Sequence, residues 1–101
     1  MTREDVRSLR QELGLSQDRF ASLLCVARMT VMRWESGETA PSGLWPSVLR
    51  LLRKGWVKRG TEEMTREIHA YTKTAGHDEA SRQDAMVECV ALLATKTLAE
   101  M

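Results

Sequence analysis

The 101-residue sequence contains two histidines and two cysteines, the residue types most often used for catalysis or metal binding. Their spacing does not correspond to a reactive site. His69 and His77 have no cysteine or carboxylate beside them at the spacing of a zinc site. Cys25 and Cys89 form no Cys-x-x-Cys pair, and each lies in an apolar stretch, which favours reduced, buried side chains. Ser16 has no histidine in its half of the chain, and no glycine-rich phosphate loop occurs. We therefore expect no enzymatic activity, no metal and no cofactor.

Basic side chains are the other group with chemical capacity, and they are concentrated in the first part of the chain. Residues 1–60 hold eleven Lys or Arg against six acidic residues, a balance of +5. Residues 61–101 hold four against eight, a balance of −4, so the net charge of +1 conceals the asymmetry. The basic half predicts a polyanionic partner, and the acidic half predicts a different role.

Length and composition favour one ordinary domain or a small domain with an extension. With 43% hydrophobic and 29% charged residues, the chain can bury a core and keep a solvated surface. The longest apolar run, 89–94, is far shorter than the roughly 18 residues that a membrane-spanning helix needs. The first five residues include two acids and lead into no apolar segment, so we expect no secretory signal and a cytoplasmic location.

Helices are predicted to position the basic side chains, and an all-α fold follows. Proline occurs only twice, and no segment shows sustained alternation with β-branched residues. Caps, glycines and apolar spacing predict four N-terminal helices: from a Thr2 cap to Leu13, from a Ser16 cap to Leu24, from Ala27 to Glu35, and from a start between Leu44 and Pro46 to a stop by Gly55.

A short basic connection, 56–60, is the predicted boundary between a compact domain, 1–56, and a helical extension, 57–101. Two further helices are predicted, from Thr61 to Ala75 and from Asp78 to the C-terminus. Each carries an apolar stripe that it cannot bury alone. The stripe residues are Met64, Ile68, Tyr71, Met86, Val90, Leu93, Leu98 and Met101.

The most informative segment runs from Gly14 to Gly37. It describes two short helices joined by a tight turn, with the small Ala21 where they cross. This pattern is typical of a helix-turn-helix, whose second helix can enter the DNA major groove. It resembles the Cro and phage-repressor-like (XRE-type) family over about Val6 to Leu52, and the matching residues are Gly14 to Gln17, Phe20, Ala21, Leu24, Val26, Val31, Arg33 to Glu35, Gly37 and Pro41.

The resemblance implies a role for individual positions. Arg28 and Arg33 become candidates for bidentate contacts to guanine, and Met29 for a thymine methyl group. The base-contacting face as a whole comprises Ala27, Arg28, Met29, Met32 and Arg33. The residues expected against DNA phosphates are Ser16, Gln17 and Thr30. Arg10 and Glu35 resemble the ion pair by which the family joins its first helix to the end of its third.

Two departures from the family pattern stand out. Cys25 occupies the turn position that is usually glycine, so either the backbone is right-handed there or a non-glycine residue bears strain. The loop from Glu38 to Ser42 has no basic residue to place against the DNA backbone. Basic residues of the fourth helix and its exit are the alternative source of that charge: Arg50, Arg53, Lys54, Lys58 and Arg59.

The expected function is a transcriptional regulator, a homodimeric repressor that binds an inverted-repeat operator in double-stranded DNA. One recognition helix reads few base pairs, so such domains normally act as two-fold dimers. We expect the C-terminal stripes to form the isologous interface. The alternative is that these helices pack back on the N-terminal domain. Two further functions stay open: an antitoxin that also holds a toxin partner, and a protein-interaction module that has kept the fold but lost DNA binding.

Overall fold

Six α-helices follow one another in the part of the chain that the structure describes. The computed structural model describes residues 1–76 and 78–99, with side chains as far as residue 93, so His77, Met101 and the side chain of Leu98 lie outside it. The described residues contain no strand, and the predicted all-α fold is confirmed. The helices are α1 (Arg3–Leu13), α2 (Gln17–Leu24), α3 (Arg28–Ser36), α4 (Trp45–Arg59), α5 (Thr61–Lys73) and α6 (Glu79–Ala99).

Local capping defines the first three helices. The Thr2 hydroxyl accepts from the Asp5 N–H while the Asp5 carboxylate accepts from the Thr2 N–H, a reciprocal capping box. Ser16 caps α2 through the N–H of Arg19. Helix α3 begins one residue later than predicted, because Ala27 is extended and precedes the helix as its N-cap. These caps explain why the bounds of α1 and α2 were predictable from sequence.

Cys25 adopts the left-handed conformation at the end of α2, with φ 58° and ψ 39°. Its N–H donates to the Ser22 carbonyl at 3.2 Å, and the Val26 N–H donates to the Ala21 carbonyl at 3.0 Å. Together these two bonds form a Schellman motif, which normally places glycine at this position. Of the two conformations that the sequence left open, the turn therefore has the strained one.

Helix α4 was predicted to stop by Gly55, but it continues to Arg59. Gly55 is buried, and a Cβ on it would lie 2.8 Å from Cε of Met64, so the glycine serves the close approach of α5. Trp56 is also buried, and its indole N–H donates to the Thr61 hydroxyl at 3.0 Å. The predicted connection at 56–60 is thus wrong, and only Gly60 separates α4 from α5.

The two C-terminal helices pack on α4, on each other and on α2. Their apolar stripe joins the core that also contains Phe20 and Leu49. Five of the side chains predicted to form a dimer interface are covered by the chain itself: Met64, Ile68, Met86, Val90 and Leu93. Tyr71 is half-buried against the same core. For these five side chains the predicted dimer interface is corrected to intramolecular core, because a second copy cannot reach buried side chains.

Strain at Cys25 makes a stability prediction. Cys25→Gly should unfold with a free energy about 1 kcal/mol higher than Cys25→Ala, because alanine keeps the penalty of a Cβ at positive φ and glycine removes it. Urea denaturation of the two variants measures the difference. Ser22, exposed inside α2, is the matched control: there the order should reverse, with alanine about 1 kcal/mol more stable than glycine. If alanine were more stable than glycine at both positions, the turn would be unstrained.

Candidate nucleic-acid interface

A buried ion pair fixes α3 to the first helix. The guanidinium of Arg10 donates from Nε to Oε2 of Glu35 and from Nη2 to Oε1, each at 2.9 Å, and from Nη1 to the Leu15 carbonyl at 2.9 Å. The Glu35 side chain is only 2% exposed. Arg7 adds a weaker contact to the same carboxylate at 3.6 Å. The planar guanidinium therefore ties α1, the connection after it and the last turn of α3 to one point.

The face of α3 that this pair orients is exposed and combines two chemistries. At about 100° per residue, the side chains cross the face in the order Arg28, Met32, Met29, Arg33, within a sector about 140° wide. Met29 is 54% exposed and Met32 is 40% exposed. The opposite side of the helix is buried through Val31 and Trp34, and Glu35 is buried at the flank of the face next to Arg28. Two apolar side chains thus lie between two guanidinium groups on one accessible surface.

Both arginines of this face lie beside a carboxylate. Nε of Arg28 is 3.3 Å from Oδ1 of Asp18, in the first turn of α2, and Nε of Arg33 is 3.8 Å from Oε2 of Glu38, in the loop after α3. All four side chains are more than half exposed. Exposed pairs contribute about 0–1 kcal/mol, so the arginines can exchange these partners for others at little cost.

The three predicted phosphate contacts lie near the first turns of α2 and α3. Ser16 is the exposed N-cap of α2, and Gln17 is the half-buried first residue of that helix. Within the described residues, the backbone N–H groups of Gln17 and Asp18 donate no hydrogen bond. They are therefore available to donate to a bound anion. Thr30 is half-buried in the first turn of α3. Ala27 is exposed just before α3, close to its positive end.

Sequence reasoning missed two features of this surface. The ion-pair partners Asp18 and Glu38 were not singled out, although a carboxylate in the first turn of a helix is a recognisable signal. The second is a long-range hydrogen bond: the Gln83 side-chain amide on α6 donates to the Cys25 carbonyl at 3.0 Å. No signal in the sequence could have revealed a bond between residues that lie 58 positions apart.

No other cluster with reactive chemistry occurs in the part of the chain that the structure describes. No group of three His, Cys, Asp or Glu residues able to hold a metal lies together there. Burial raises the pKa of the half-buried Cys25 thiol, which therefore stays protonated at neutral pH. None of the described helices has both the length and the apolar character needed to cross a membrane.

Comparison with known proteins identifies the family of the segment that carries this surface. The family model described as Helix-turn-helix matches residues 6–44, which contain most of α1, all of α2 and α3, and the loop that precedes α4. These residues belong to the XRE-type, Cro-like helix-turn-helix family, and the match supports a DNA-binding regulator of that type. The family is one of regulatory domains that in general are not enzymes. No curated protein and no solved structure matches the chain.

Removal of Glu35 tests the buried ion pair. We expect Glu35→Ala to lower the free energy of unfolding by about 3–5 kcal/mol, because Arg10 keeps a charge in a site that water reaches poorly. Glu12→Ala is the matched control, since Glu12 pairs with Arg53 at 2.8 Å on the exposed surface and should cost less than about 1 kcal/mol. Chemical denaturation compares the two. Equal losses would contradict a special role for the buried pair.

Proposed function

We propose that two copies of the chain bind an inverted-repeat operator, with α3 of each copy in the major groove, and repress transcription by blocking polymerase. A DNA-binding regulator works where the DNA is, so the proposal includes a cytoplasmic location. Residues 1–56 would provide the DNA contacts and residues 57–101 would support them. The observation that carries the proposal is the exposed Arg–Met–Met–Arg face of α3, held by the Arg10–Glu35 pair.

Each side chain of that face suits a different base. A guanidinium can donate two bonds to O6 and N7 of guanine, which assigns Arg28 and Arg33 to guanines. Met29 suits the methyl group of thymine, the apolar feature of the major groove. Asp18 and Glu38 release the arginines cheaply when DNA offers better acceptors, because both pairs are exposed.

Phosphate contacts position the helix without reading sequence. In the proposed complex, the N-terminus of α2 meets a phosphate through the Gln17 backbone and side chain, with Ser16 beside it. Thr30 reaches a phosphate from the first turn of α3. The positive ends of both helix dipoles favour the same anionic backbone.

A pair of chains is proposed because a single nine-residue helix reads too few base pairs for useful specificity. The five buried side chains of the C-terminal stripe are not available to hold the pair together. Outside α3, three large apolar side chains remain exposed among the described residues and are available for pairing: Leu44, Val57 and Leu92.

Selection of bound duplexes from a random DNA library tests sequence reading. The wild-type chain should enrich a defined motif, and an Arg28→Ala, Arg33→Ala variant should lose about 1–3 kcal/mol per arginine at that motif while keeping its affinity for random DNA. Gln17→Ala is the contrasting control and should weaken both alike, because phosphates carry no sequence.

A second control separates specificity from charge. The Arg53→Ala, Lys54→Ala variant removes the same charge from α4 and should leave the enriched motif unchanged. Equal losses of the arginine variant of α3 on motif and random duplexes would refute the base-reading roles. Enrichment of no motif by the wild type at low salt would favour the interaction module instead.

Two-fold binding makes a separate prediction. The enriched motif should contain two inverted half-sites about 34–36 Å apart, one helical turn centre to centre. Sedimentation velocity with a labelled duplex should then show two chains on the full site and one on an isolated half-site. Insertion of about five base pairs between the half-sites, a half turn, should abolish cooperative binding. One chain on the intact full site at saturation would exclude the paired mode.

A further inference from the structure

We propose that Met29 and Met32 together read C5-methyl groups of pyrimidines, so that α3 recognises thymines flanked by guanines and accepts 5-methylcytosine in place of those thymines. This inference rests on the proposed function and extends it, because it names the chemical group that the centre of the recognition face selects. It also gives Met32, for which the resemblance implied no particular base, a defined partner.

The exposure of the two methionines is the first observation. Large apolar side chains that are exposed on the described surface are few, and two of them lie on the short helix α3. At positions i and i+3, their side chains are neighbours on the helix surface. The core does not need them, since Val31 and Trp34 fill the buried side of α3. An apolar pair left in water gains free energy only when a partner covers it.

The chemistry of the groove identifies that partner. Donors and acceptors dominate the edges of the bases in the major groove, and the C5-methyl group of thymine is the apolar exception. A thioether side chain is flexible, polarizable and a poor hydrogen-bond acceptor, so it packs against a methyl group and discriminates weakly among polar edges. Methionine therefore suits a methyl group far better than it suits guanine or adenine.

The neighbours on the helix define the order of the half-site. Arg28 and Arg33 lie at the two edges of the face, and the methionines lie between them. Guanidinium groups select guanine, so the predicted half-site has thymines in its centre and a guanine on each side. A methyl group on C5 of cytosine projects into the same groove from the same ring position, so the methionine pair gains the same contact from it.

Replacement of thymine by deoxyuridine tests the inference, because it removes the methyl group and leaves base pairing and O4 intact. The probe is the duplex that the wild-type chain enriches from a random library, with its thymines replaced one at a time. One or two central positions should each bind about fourfold more weakly as deoxyuridine, the equivalent of about 0.8 kcal/mol for one methyl group. Outer positions should show no change.

Methylated cytosine provides the converse test. Thymine at a sensitive position is replaced by cytosine, with guanine opposite, and the duplex is compared with the same duplex carrying 5-methylcytosine. The methylated duplex should bind about fourfold more tightly. Equal affinities would show that the methyl group is not what the chain reads.

Protein variants assign the effect to the methionines. Met29→Ala, Met32→Ala should remove the deoxyuridine effect at the sensitive positions, and since both side chains are exposed and alanine favours helix, the fold should persist. Met32→Leu should retain the effect, as should Gln11→Ala, a control that shortens an exposed, uncharged side chain on α1.

Three results would overturn the inference while leaving the proposed function intact: an enriched motif without central thymines, thymines indifferent to deoxyuridine, or a deoxyuridine effect that survives in the double alanine variant. Failure of the wild type to enrich any duplex would instead remove the proposed function, and the inference with it.

Discussion

The structure depends on the guanidinium of Arg10, which makes three hydrogen bonds of 2.9 Å to two separate parts of the chain. Two of them hold the Glu35 carboxylate, which is almost fully buried, and the third holds the Leu15 carbonyl before α2. A buried charge is costly without a partner, so this arrangement tolerates little displacement of α1 relative to the end of α3. Bidentate geometry adds direction to the charge. The tilt of α3, and with it the orientation of the exposed face, therefore depends on a contact in the last turn of the helix.

The ion pairs on the exposed side of α3 have the opposite physical character. Arg28 and Arg33 lie near Asp18 and Glu38 at 3.3 Å and 3.8 Å, with every member more than half exposed, so water already screens these pairs. Their loss costs little, and the guanidinium groups are available to bases. The same residue type thus performs two tasks in one small domain: Arg10, mostly buried, determines geometry, and the exposed arginines remain exchangeable. Burial rather than residue identity separates the two roles.

Local signals explain how much of this fold was predictable. Thr2, Asp5 and Ser16 act on backbone groups within three residues, so the starts of α1 and α2 followed from the sequence. Gly55 misled the prediction of α4, because a glycine that ends a helix and one that admits a neighbouring helix look alike until Met64 is known to pack against it. The apolar residues of the C-terminal stripe indicated that another surface must cover the stripe. What covers it, the core of the same chain, is a property of tertiary packing that periodicity cannot distinguish from a second copy.

The packing of α5 and α6 indicates that residues outside the matched segment help to hold it in place. That match ends at residue 44, yet the core formed by α2 and α4 continues into both C-terminal helices. Trp56, near the end of α4, is buried and donates a hydrogen bond to Thr61 of α5. Gln83 of α6 donates a hydrogen bond to the carbonyl of Cys25, the strained residue at the turn between α2 and α3. A strained backbone persists only where surrounding contacts over-determine it. Gln83 supplies one such contact from outside the matched segment, so the physical unit that holds the recognition helix extends into α6 and is larger than the helix-turn-helix motif alone.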